Sequence, residues 1–207
     1  MRGFEARGDM AVAQLDSEER AVVARVIADV GLLLSGEAFG AQREGVEDFE
    51  DELFAHVRGF EVALSDPEDP AVLRILPNAA PTDRQVADEF RRLTEPELRA
   101  IKVDRLRAIW DALSEDGPEW EVPADEAMAT AAALTDVRLV LAARLGIDTY
   151  ADADALYREI EHAENAAATD VFASLAVDPH RVWLGMVYQA LTWLQESLMT
   201  YVMRDDV

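Results

Sequence analysis

Residues 4–34 read FEARGDMAVAQLDSEERAVVARVIADVGLLL, and this stretch sets the fold class. Phe4–Arg7 and Met10–Leu15 flank Gly8-Asp9, a pair suited to a tight turn, which predicts an antiparallel hairpin. Asp16 precedes Glu19 by three residues, the spacing at which each side chain can accept from the other's backbone N–H in a capping box. Val22, Val23, Val26, Ile27, Val30, Leu33 and Leu34 then recur at helical period. They predict a helix over 17–35, ended by Gly36 and Gly40. A small sheet running into a helix, followed by further helical patterns, makes the chain mainly α. We expect a single-domain helical bundle over 1–207 with a small N-terminal antiparallel β-hairpin, which the alternating Glu119-Trp120-Glu121-Val122 could extend to three strands.

The remaining chain reads as helices broken by turn residues. Val46, Phe49, Leu53, Phe54 and Val57 keep helical spacing beneath an acidic run, predicting a short acidic helix over 46–63. Ser65-Asp66-Pro67-Glu68-Asp69-Pro70 is a connector, and Ala71–Leu76 can form one or two helical turns closed by Pro77. Thr82 precedes Gln85, and Thr94 precedes Glu97, by the capping-box interval. These two signals predict separate helices over 83–93 and 95–114, joined by a tight corner at Thr94. A long Ala-rich helix follows over 124–145, closed by Gly146. Ala155, Leu156, Ile160 and Ala163 suggest another over 152–164 or longer, and Asp178-Pro179 caps a last helix over 179–203.

Composition removes several function classes. The 207 residues hold 42 acidic and 19 basic side chains, for a net charge of −23. Binding to duplex DNA or an anionic membrane needs excess Lys and Arg, so neither is the expected partner. There is no cysteine, which excludes disulfides, thiolate metal sites and thiol chemistry together. The N-terminus lacks the apolar stretch of a signal peptide and no apolar run reaches membrane-spanning length, so a cytoplasmic protein is expected. Eighteen of the nineteen basic residues are Arg, Lys102 being the lone lysine, and 35 residues are Ala. That usage is what a high-GC genome produces.

No enzyme signature is present: there is no Gly-rich phosphate loop, no G-x-S-x-G elbow and no H-E-x-x-H helix. Glu159 and His162 form one E-x-x-H, the spacing of di-iron bundles, but such a site needs a second E-x-x-H and two further glutamates. No catalytic, cofactor or metal site is therefore expected. The one locally basic window, 84–107, holds seven basic against five acidic residues, for a net +2. Its two predicted helices superficially resemble a helix-turn-helix, although the acidic surround opposes phosphate contact. Surface pairing such as Glu95 with Arg99 accounts for much of it. A docking face for an acidic partner is the functional reading, with Arg91, Arg92 and Arg99 facing that partner. On the last helix, Trp183 and Met186 share a side with Ala190, while Leu184, Tyr188, Leu191 and Leu198 occupy another. A helix apolar nearly all round is central in a core, or else its extra stripe, with Trp193 and Met203, packs on a second copy as a homodimer.

Three segments together resemble the AosR-like family of actinobacteria, long catalogued only as a domain of unknown function. They are Glu89-Phe90-Arg91-Arg92-Leu93-Thr94-Glu95 through Leu98-Arg99, then Asp136-Val137-Arg138-Leu139-Val140-Leu141 to Ile147, and Trp193-Leu194-Gln195-Glu196-Ser197-Leu198. The resemblance implies a protein without enzymatic activity, in some members an oxidative-stress transcriptional regulator, whose gene often neighbours that of a Clp-protease adaptor. The redox reading depends on a cysteine pair that this chain lacks, so thiol sensing does not carry over. Two functions follow as expectations: a regulator that binds a protein of the transcription machinery, or an adaptor module linked to Clp-type regulated proteolysis.

Arg138 is the sharpest single residue. It shares a stripe with Leu134, Leu141 and Leu145, which directs its stem toward the core. A buried guanidinium needs a partner. Glu196, the only acid between Asp178 and Asp205, is the expected one, and the Arg138–Glu196 pair would brace two core helices.

Overall fold

The computed structural model describes residues 1–40, 67–169 and 178–205. The acidic helix expected over 46–63, with His56, lies outside the described residues.

The hairpin forms as the turn residues dictate. Strand β1 (Arg2–Arg7) pairs antiparallel with β2 (Met10–Gln14) around Gly8, whose φ of 63° is the left-handed conformation that a tight turn needs. Strand β3 (Glu119–Pro123) pairs antiparallel with β2, placing Ala13 opposite Trp120 and Met10 opposite Pro123, so the sheet order is β1-β2-β3. A lone hairpin is marginal in water, and the third strand and the helices behind it supply the missing burial. Phe4 meets Trp120 edge-on, with ring centroids 5.0 Å apart, and Leu15 is fully buried beside them.

Helix α1 (Ser17–Ser35) begins with the complete capping box: Asp16 Oδ1 accepts from Glu18 N and Glu19 N, and Glu19 Oε2 accepts from Asp16 N. Gly36 ends it in the left-handed conformation. Helix α2 (Pro70–Ile75) is the short piece expected before Pro77, capped by Asp69. Helix α4 (Ala127–Leu145) runs through the middle of the core, burying Ala131, Leu134, Val137 and Leu141, and Gly146 stops it. Helix α5 (Tyr150–Thr169) starts earlier than expected. Thr149 and Asp152 form a second reciprocal cap there, with the Thr149 backbone N–H donating to Asp152 at 2.8 Å. Helix α6 (Pro179–Asp205) starts at the expected Asp178 cap, whose carboxylate accepts from His180 N at 2.9 Å. Gly185 on α6 lets α5 approach closely: a Cβ there would lie 3.0 Å from Leu156 and Ile160.

One sequence expectation is overturned. Residues 84–114 form a single helix, α3 (Arg84–Ser114), with no corner at Thr94. Asp83 caps its start, accepting from Val86 N, in place of Thr82. Thr94 does not cap: its hydroxyl donates to the Phe90 carbonyl one turn back at 2.9 Å, as a mid-helix threonine does. Pro96 removes one backbone donor from the helix interior. Buried side chains span that defect, because Glu95 is ion-paired with both Arg91 and Arg99 on either side of it. The helix-turn-helix likeness disappears with the corner.

α1 and α3 pack together, and each caps the other. Arg20 of α1 is buried and donates to the Ala112 and Glu115 carbonyls at the end of α3, and to Glu119 O of β3. Arg99 of α3 returns the contact, donating to the Leu34 carbonyl in the last turn of α1 at 2.6 Å. Both guanidiniums satisfy orphan carbonyls at the negative ends of helices.

Candidate functional site

α3 presents two faces of opposite character. Ala87, Val103, Leu106, Ile109 and Leu113 are buried. Val86, Phe90, Leu93 and Ile101 point outward at spacings of four, seven and fifteen residues, one side of a helix over roughly 22 Å. Phe90 is 50% exposed and Leu93 63%. Single exposed apolar side chains are ordinary, whereas these four share one side of α3. A shallow groove beside the stripe is lined by Leu76, Pro77, Phe90, Thr94 and Leu98.

The charged residues expected to face a partner divide in a way that the two-helix reading could not anticipate. On the continuous helix Arg91, Glu95 and Arg99 fall on one side, turned under the stripe. Arg91 is 6% exposed and held by Glu95, so it is a structural residue and not a partner-facing one. Arg99 donates to Glu95 at 2.6 Å and caps α1, so it too holds the fold together. Arg92 stays at the surface and pairs with Glu89 at 2.6 Å, which holds the Glu89 carboxyl below its usual range. Trp193, far along the chain on α6, is 44% exposed with its ring near Gly3 of β1.

Over residues 1–202 the sequence matches the family described as "Domain of unknown function (DUF2017)". The chain belongs to that family. No curated protein and no solved structure matches it.

Two partly buried polar clusters join α4 to its neighbours. Lys102, the lone lysine, donates to Asp136 at 2.6 Å between α3 and α4. Burial pushes the Asp136 carboxyl above its usual range, against the downward pull of Lys102 and Arg105. The second cluster corrects the Arg138–Glu196 expectation. Arg138 does turn toward α6, but its Nε donates to Thr192 at 2.9 Å and its Nη1 to Gln195 at 2.5 Å, while the guanidinium stacks 5.5 Å from the Tyr188 ring centroid. Tyr188, Thr192 and Gln195 follow one another at i, i+4 and i+7 and face α4 together. Glu196, one residue further round the helix, is exposed and makes no ion pair with Arg138. Gln195 in turn donates to Thr135 and to the Ala131 carbonyl, so the bridge between α4 and α6 is satisfied without a carboxylate.

Of the E-x-x-H residues, Glu159 is drawn away by Arg181 at 3.0 Å and His162 faces solvent. Among the described residues no group of three or more His, Asp or Glu is placed to hold a metal ion. No described helix is long and apolar enough to cross a membrane. The sequence reading missed the stripe, although its signal was present: Val86, Phe90, Leu93 and Ile101 keep one period across the supposed corner at Thr94.

Proposed function

We propose that this DUF2017 member is a non-enzymatic regulatory protein that acts in the cytoplasm by binding another protein through the outward face of α3. The observation that carries this reading is the apolar stripe Val86, Phe90, Leu93 and Ile101, exposed on a helix whose opposite face is fully packed. A helix that needed only to hold the fold would carry polar side chains there. A buried Arg91–Glu95 pair and a part-buried Glu95–Arg99 pair fix the helix that presents the stripe, so little ordering cost accompanies docking.

The resemblance to AosR-like proteins supports a place in transcriptional regulation under oxidative stress, and the first of its three segments, residues 89–99, contains part of the stripe. With no cysteine, a stress signal reaches this chain through its partner and not through a thiol of its own. Affinity capture with the full chain from its native cytoplasm, read by mass spectrometry, tests the reading. RNA polymerase or sigma-factor peptides support it, Clp components move the assignment to an adaptor of regulated proteolysis, and neither class overturns both.

A further inference from the structure

We draw no further inference here: the strongest candidate, the groove between the 76–79 corner and α3, belongs to the stripe already described, and nothing in the structure shows what covers it.

Discussion

Lys102 Nζ and Asp136 Oδ1 stand 2.6 Å apart between α3 and α4, with the Asp136 side chain 7% exposed and that of Lys102 13%. The pair is asymmetric. Burial raises the Asp136 carboxyl despite the ammonium beside it, so desolvation outweighs attraction at the acid.

Removing the two partners should therefore have unequal costs. Lys102→Met leaves a buried carboxylate alone and should cost about 3–5 kcal/mol near pH 8. Asp136→Asn keeps an acceptor for the ammonium and should cost clearly less. The pH dependence follows from the sign of the shift. A carboxyl raised in the folded state contributes stability below its unfolded value, and that contribution is lost as pH rises through the folded one. In Lys102→Met the shift is larger, so the deficit against the parent should shrink between pH 8 and pH 5. Urea midpoints at both pH values decide this, and a deficit that grows toward pH 5 contradicts it.

Arg138 and Glu196 supply a paired test. Arg138→Ala removes hydrogen bonds to Thr192 and Gln195 and the stacking on Tyr188, and should lower stability by about 1–3 kcal/mol. Glu196→Gln touches an exposed side chain and should change it by less than about 0.5 kcal/mol. Equal losses in the two variants would restore the ion pair read from the sequence.

Asp69 should carry part of the acid sensitivity. It caps α2 and accepts two bonds from Arg144, which hold its carboxyl below the ordinary 3.8. A lowered carboxyl contributes stability above its unfolded value and loses it as pH falls through the folded one. Asp69→Asn should thus be less stable than the parent at pH 6, and the gap should be smaller at about pH 3, below the ordinary carboxylate value. A gap of the same size at both pH values would mean that the charge is not what Asp69 contributes.

Ser197 accepts from Phe4 N at 2.8 Å, securing the first strand to the last helix. Ser197→Ala should cost about 1–3 kcal/mol, because it strips a part-buried backbone N–H of its acceptor. Gly3→Ala should destabilise the same junction by overpacking, since its Cβ would lie 2.8 Å from Ser197 Cβ. Thermal unfolding of both variants checks this, and two unchanged midpoints would contradict it.

Local chemistry made most of the fold legible. The Gly8-Asp9 turn, the Asp16–Glu19 box, the Gly36 and Gly146 stops and the Asp178-Pro179 start each act over a few residues, and all appear where the sequence places them. The α3 corner failed because Thr94-Glu95-Pro96-Glu97 carries every local mark of a helix start, and distant packing on α1 overrode it. The guanidinium caps of Arg20 and Arg99 act across elements 65 to 99 residues apart in sequence, and no local pattern announces them. At Arg138 the period turned the stem inward, and the search for a carboxylate reached the right helix but missed the partner by one residue. Choosing Glu196 assumed that a guanidinium requires a carboxylate, whereas Thr192, Gln195 and an aromatic face suffice for a half-buried one.

Phe90 and Leu93 are the anchors of the proposed docking face. Both are at least half exposed, so replacing them with Glu should leave the unfolding midpoint close to that of the parent. The decisive measurement is quantitative capture from the same native cell lysate by the parent and by the Phe90→Glu, Leu93→Glu variant, with Trp193→Ala as a control on the α6 surface. Loss of an aromatic and an aliphatic anchor should weaken the captured partner by at least about 2 kcal/mol, roughly 30-fold in Kd. This loss is expected in the α3 variant and not in Trp193→Ala. A folded α3 variant that captures the same proteins as the parent in equal amounts would contradict it.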